Sequence, residues 1–366
     1  MAVLFFGGFE SGGVEFSTPA GSPVADTSIK RGAGAYSLKI PDGSQCGQTF
    51  TSGGTRYARA FVYISAAPTA VIDIIEFAGG STTQVQLQTD RTLRVESGSS
   101  SIFAVSSMAL TAATWYMLQV RYTKGTGANA ISELKIHSDD GTLLETVTIT
   151  NGSGTADVGL INFDGSGSGI DIYVDDVIID DAAYPGIGTC IKVQGKSSTP
   201  TDDAFAKNGA ATSHLCWSDT PFDTATNCSS AASTAAQIMS LAASEISASD
   251  TINACKVALV GKRGTGGSVT VSARRRVSAG SPTDSVITLS TSDAFHSSAV
   301  FSETLSNIGN MEIGVVRGAG TSQLTTIEDV WLMVDYTVAP GAGQPRLLRD
   351  FGIPTSGRGR IGGGWN

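Results

Sequence analysis

The chain is 366 residues long, enough for two ordinary domains that each close a core. Apolar residues make up 41% and charged residues only 16%, with 44 glycines, so the surface is carried by Ser, Thr, Asn, Gln and Gly. The net charge of −9 argues against wrapping nucleic acid, which needs clustered Lys and Arg, and no window approaches the roughly 18 apolar residues of a membrane span.

The opening "MAVLFFGGFESGG" has no basic segment ahead of its short apolar run, so an export signal is not expected. Strand patterns follow. In "AYSLKI", Tyr36, Leu38 and Ile40 share a face. "RYARAFVYISA" and "AVIDIIEFAGG" read as strands buried on both faces, and "TQVQLQTD" points Val85 and Leu87 inward with Gln84, Gln86 and Gln88 outward. Tyr116, Leu118, Val120 and Tyr122 share a face in "TWYMLQVRYTKG". "ELKIHSDDGTLLETVTI" predicts a hairpin, because Asp140-Gly141 accepts positive φ. "IDIYVDDVIIDD" closes this half with five aspartates. Strict alternation sets Tyr173, Asp175, Val177 and Ile179 against Ile172, Val174, Asp176 and Ile178, with Asp180 and Asp181 capping the end.

Pro185 breaks the pattern and marks a boundary. Residues 190–250 have weak periodicity, with a short helix predicted in "STAAQIMSLAAS". From Ile252 the period-2 strands resume, ending in "TIEDVWLMVDYTV". Arg274, Arg275 and Arg276 would split between two faces of a strand as solvated edge or interface charge. Many short strands with glycine turns predict an all-β chain of two β-sandwich, jelly-roll-like domains, at 1–184 and 188–338. Residues 339–366, rich in Gly, Pro and Arg with Leu347, Phe351 and Trp365 as apolar anchors, predict a flexible arm that orders on a neighbouring subunit.

Residues for chemistry are sparse. Cys46, Cys190, Cys216, Cys228 and Cys255 are odd in number, widely spaced and free of a CxxC, which predicts free buried thiols, although Cys216 and Cys228 could pair. The E-x-D-x-x-E spacing of sandwich glycoside hydrolases is missing: "IDIIEF" offers only Asp73 and Glu76, whose odd separation puts them on opposite faces of a regular strand. His137, His214 and His296 are isolated, and His137 is expected to be solvated beside its turn. Cys216 with His214 lacks the third, orienting group of a nucleophilic site. No catalytic or cofactor-binding residue is nominated, and the chain is expected not to be an enzyme. Tyr57, Tyr63, Trp115 and Trp217 are possible sugar platforms that could equally be core.

"GGFESG" (Gly7–Gly12), "RGAGAYSLKI" (Arg31–Ile40) and "IYVDDVIIDD" (Ile172–Asp181) occur in an order similar to that of concanavalin A-like, jelly-roll sugar-binding sandwiches. The resemblance implies that the early Phe-Glu segment lies near the closing strand. It also raises a structural calcium on Glu10 with Asp175 or Asp176, against the plainer reading that these aspartates cap turns or accept backbone N–H groups; no other cofactor is expected. In the second half, "TDDAFAKNGAATSHLCW", "INACKVALVGKRGTGGSVTVSARRR" and "NMEIGVVRGAG" resemble tailed-bacteriophage virion proteins. That likeness implies a structural protein on the virion surface, as decoration, fibre or tail-attached component, made in the host cytoplasm. Its partners would be other virion proteins, further copies of itself and host glycans, with no nucleic acid and no membrane insertion. A free carbohydrate-binding protein and a glycan depolymerase are the alternatives.

Overall fold

The computed structural model describes residues 3–338 apart from 10–14, 17–19, 33, 79–82, 99–101, 196–200, 210–215, 218–225, 242–245, 279 and 320–322. The arm expected over 339–366 lies outside the described residues. Up to residue 180 the strands are β1 (Val3–Gly7), β2 (Val24–Asp26), β3 (Ser37–Ile40), β4 (Gln45–Gly53), β5 (Thr55–Ile64), β6 (Ile72–Ala78) and β7 (Thr83–Leu87). They continue with β8 (Thr92–Ser97), β9 (Phe103–Ala109), β10 (Trp115–Thr123), β11 (Ile131–Ser138), β12 (Leu143–Ile149), β13 (Val158–Asp164) and β14 (Ile172–Asp180). Next come β15 (Thr189–Gln194), β16 (Asp202–Asp203), β17 (Ala206–Asn208), β18 (Asn227–Ser230), β19 (Ala236–Ser240) and β20 (Thr251–Arg263). The last are β21 (Thr270–Val277), β22 (Thr283–Thr288), β23 (Ala294–Ser297), β24 (Met311–Arg317) and β25 (Thr325–Thr337), with a short helix at Leu305–Gly309.

Four antiparallel sheets result, as the all-β reading requires. The first runs β12-β11-β10-β5-β14-β3-β2 with β1 also on β14; the second runs β4-β13-β6-β7-β8-β9. These two enclose one core, which includes Leu38, Val85, Leu87, Leu118, Val120 and Phe163. The third sheet runs β17-β18-β25-β20-β23 with β15 on β25, and the fourth runs β16-β19-β24-β21-β22. They enclose a second core, around Trp217, Leu259, Val271, Ile313 and Leu332. β1 pairs with β14, Phe5 opposite Ile179, which is the neighbour the resemblance implies for the early segment. Gly141, at φ +84°, turns the hairpin between β11 and β12.

The closing strand of each pair is buried along its whole length or nearly so, and each carries a bulge at two consecutive acidic residues. In β14 the bulge falls between Asp175 and Ile178, with Asp176 at φ +47°, a left-handed conformation that aspartate tolerates better than most side chains. Strict alternation therefore fails here: Val174 and Val177, three apart, both enter the core. In β25 the register passes from Ile327 to Asp329 over a single step of β20, leaving Glu328 as the extra residue. Leu332 and Val334 then face the second core, while Trp331 and Met333 join a third cluster with Phe6, Ile178, Cys190 and Ala258.

That third cluster is the contact between the two pairs of sheets, and buried charge is set into it. Arg59 Nη2 lies 2.6 Å from Asp335 Oδ1, and both side chains are fully buried. Arg59 also donates to Gly186 O (2.6 Å), and Asn253 Nδ2 donates to Asp335 Oδ2 (2.7 Å). Asp176 is paired with Arg31 (2.5 Å) and accepts from the backbone N–H of Cys190 (2.6 Å). Lys256 reaches across to donate to Phe6 O, with the rings of Phe5, Phe6 and Phe295 within 5.3 Å; burial pushes its pKa down to about 8. Each of these ions in the contact has a hydrogen-bonding partner, as removal from water demands.

Two local expectations are corrected. The predicted helix in "STAAQIMSLAAS" contains β19 instead, with Ile238 and Met239 buried on its two faces. Tertiary pairing decides this: β19 lies against β24 so closely that a Cβ on Gly314 would sit 2.0 Å from Gln237 O. The aspartates of β14 are also more than turn markers. Asp180 does accept from the N–H groups of Ala182 and Ala183, but Asp176 pairs with Arg31 and accepts from the N–H of Cys190 in the third sheet. The arginine run divides as expected, Arg274 pairing with Asp284, Arg276 with Glu312 and Arg275 with Glu303. All five cysteines are free and buried.

Replacing Asp335 with alanine leaves the Arg59 charge buried without its carboxylate. Urea denaturation is expected to show a loss of about 3–5 kcal/mol, most of it recovered when Arg59→Met is added. A single variant as stable as the parent would contradict the pairing.

Candidate functional site

β6 carries a bulge between Asp73 and Ile75: Asp73 pairs with Gln86, and Ile75 with Val85. Ile74 and Ile75, adjacent in sequence, both enter the core. Asp73 and Glu76 consequently share the outer face of the second sheet. The expectation that they oppose one another is overturned, because it assumed a regular strand. The neighbouring strands complete a polar floor. On β7, Val85 and Leu87 point inward, which leaves Gln84 and Gln86 outside. One row across the sheet is Asn162, Glu76, Gln84, Glu96 and Phe103; a second is Asp73, Gln86, Arg94 and Val105.

Contacts within this floor hold it in place. Glu76 accepts from Asn162 Nδ2 (3.2 Å) and Gln84 Nε2 (3.4 Å). Arg94 pairs with Glu96 (2.5 Å) and lies 4.0 Å over the ring of Phe103, which is 51% exposed. Asp73 receives a hydrogen bond from Gln86, yet its Oδ1 is buried and has no hydrogen-bond partner. Burial raises the Asp73 pKa above the ordinary carboxylate value, and the nearby charges of Glu76 and Asp164 raise it further, outweighing the Gln86 bond and Arg94. Glu96 is buried too, at 5% exposure, although it points away from the core. The floor is thus crowded and partly desolvated, unlike a solvated polar face.

Amide donors, carboxylate acceptors and one exposed ring, spaced about 4.8 Å apart along each row by the strand separation, are groups that engage sugar hydroxyls and ring faces. Burial and the Glu76 carboxylate shift Asp73 towards holding its proton, the direction that favours proton donation. Val71 occupies the position two before Asp73 where the E-x-D-x-x-E spacing would place its first carboxylate, so β6 carries the second and third members alone. Sequence reasoning named this pair and set it aside, although one signal of the bulge was present: the apolar doublet Ile74-Ile75 interrupts the alternation between two acidic residues.

The residues singled out from sequence fall elsewhere. Tyr63, half-buried, packs against Trp115 (5.5 Å between centroids) and Tyr173 (5.4 Å) on the outer face of the first sheet, where Lys39 pairs with Asp171. Tyr57 packs edge-on against Tyr184 in the segment leaving β14. Trp217 is core, its Nε1 donating to Ile327 O. Glu10 lies outside the described residues, as does His214, so neither the calcium set nor the Cys216–His214 pair is assembled here. Asp175 Oδ1 accepts from the N–H of Asp176, whose own carboxylate faces Arg31 and Arg59. Among the described residues no group of three His, Cys, Asp or Glu side chains is arranged to hold a metal ion. His137 is buried and not solvated: its ring nitrogens lie 3.0 Å from Gly141 O and from Gln119 Oε1, and burial lowers its pKa. Burial lowers that of His296 as well. No described helix is long and apolar enough to cross a membrane.

No family model matches the chain, and no curated protein does. Solved structures do. A cellulose-induced protein, Cip1, is 16% identical, with a TM-score of 0.36, over 50% of this chain and 100% of its own. An endo-β-1,4-glucuronan lyase from Trichoderma reesei is 10% identical, with a TM-score of 0.37, over 49% of this chain and 95% of its own. An alginate lyase from Aplysia kurodai is 8% identical, with a TM-score of 0.39, over 50% of this chain and 100% of its own. Likeness at this level assigns no function to the chain, and none of these three is named as a virion protein. The expectation that the chain is not an enzyme is nonetheless corrected. The matched structures include polysaccharide lyases, and the missing carboxylate spacing tests only hydrolysis by paired carboxylates, not elimination.

Asp73 binds its proton more tightly folded than unfolded, so its contribution to stability is full below the ordinary aspartate pKa and is lost as pH rises through the raised folded value. Asp73→Asn is expected to be more stable than the parent near neutral pH, with the margin shrinking on acidification. Denaturation midpoints across that range check this, and a variant no more stable at neutral pH would contradict it.

Proposed function

We propose that this chain is a glycan-binding β-sandwich protein that takes its ligand across the outer face of the second sheet. The observation that carries the reading is the β6 bulge, which puts Asp73 and Glu76 on one partly desolvated face with Gln84, Gln86 and Asn162. The binding unit would be residues 1–184. Residues 188–338 form the second unit in this reading, fixed to the first through Arg59, Asp335 and Lys256. Part of the outer face of the first sheet is already committed to that contact through Phe6, Ile178 and Arg59. The wider setting, a symmetric tailed-phage particle on which the second unit and residues 339–366 dock, rests on the sequence resemblance. Antibody labelling of purified particles tests it: label on the head or tail supports this setting, and unlabelled particles remove it.

Titration calorimetry of the full chain against a panel of oligosaccharides tests the binding reading. Glu76→Gln and Gln84→Ala are each expected to weaken the best ligand about tenfold or more, equivalent to about 1.4 kcal/mol, with unfolding midpoints little changed. Loss of binding in Trp115→Ala with both floor variants unaffected would move the site to the first sheet. No binding to any member of the panel would sink the reading.

A further inference from the structure

Resting on that reading, we infer that the glycan taken by this floor is uncharged, and that polyuronates are excluded from it. The floor carries four carboxylates, on Asp73, Glu76, Glu96 and Asp164, against one cation facing them, Arg94. That cation is already committed: its guanidinium is 2.5 Å from Glu96 and stacks on Phe103. A uronate carboxylate laid across β6 and β7 would find amide donors on Gln84 and Gln86, but each of these already serves a carboxylate, Glu76 and Asp73 respectively. It would also add a further negative charge beside the carboxylates of Asp73, Glu76 and Asp164, which already lie close enough to repel one another. The chain as a whole, at −9, adds repulsion at long range. A sugar hydroxyl brings no charge and can instead donate to the Asp73 or Glu76 carboxylate, which a uronate carboxylate cannot do.

The test compares matched-length neutral oligomers (gluco-, xylo- and manno-oligosaccharides) with galacturonan and alginate oligomers, by calorimetry on the full chain at low and at moderate salt. At least one neutral oligomer is expected to bind ten times more tightly than any uronate, with the gap narrowing as salt screens the floor. Asp164→Asn should narrow it further at low salt. A uronate that binds as well as or better than every neutral oligomer would overturn the inference while leaving the glycan reading intact. If nothing binds, both fall together.

Discussion

The structure depends on one buried contact, in which Arg59 of the first sheet meets Asp335 of the third with neither side chain reaching water. Desolvating two such ions costs several kcal/mol apiece, and their attraction offsets this only with close geometry and satisfied hydrogen bonds. Gly186 O and Asn253 supply those bonds, and the apolar cluster of Phe6, Ile178, Trp331 and Met333 closes around them. The ions set register as well as charge: Arg59 can meet Asp335 in only one docking of the two strands that bear them. The consequence for function is a division of faces. Part of the outer face of the first sheet, at Phe6, Ile178 and Arg59, is taken up in holding the two sandwiches together, and the second sheet, on the far side of the same sandwich, is turned away from that contact.

Bulges then decide what each face carries. In β14 a left-handed Asp176 moves Val177 into the core and brings its own carboxylate to the docking contact. In β25 the extra residue is Glu328, beside Asp329. In β6 the bulge sends two successive isoleucines inward and leaves Asp73 and Glu76 together outside. A strand of strict period two could do none of this, because consecutive side chains must alternate.

Much of the strand architecture was legible in the sequence for the same reason. Val85 with Leu87, and Leu118 with Val120, fall on the core face as alternation requires, and Asp140-Gly141 marks its hairpin. Legibility ended where a local pattern met a non-local partner. "STAAQIMSLAAS" has no strong preference of its own, and its strand is fixed by a ladder with β24, some 75 positions on. His137 reads as solvated beside its turn, yet Gln119, itself bonded to Pro185 O, buries it. The Asp73–Glu76 pair was discarded by a rule correct for regular strands, and the acceptors and amides around it come from β7, β8 and β13, which no spacing within one strand reveals.

The central claim is that a ligand lies on the second sheet while the docking contact takes part of the first. Hydroxyl-radical footprinting of the full chain, with and without a bound neutral oligosaccharide, tests it most directly. The account predicts ligand protection at Phe103 and along β6 to β8, unchanged labelling at Tyr63 and Trp115, and no labelling of Phe6 or Trp331 in either state. Protection confined to Tyr63 and Trp115, or ready labelling of Trp331 in the free chain, would contradict it.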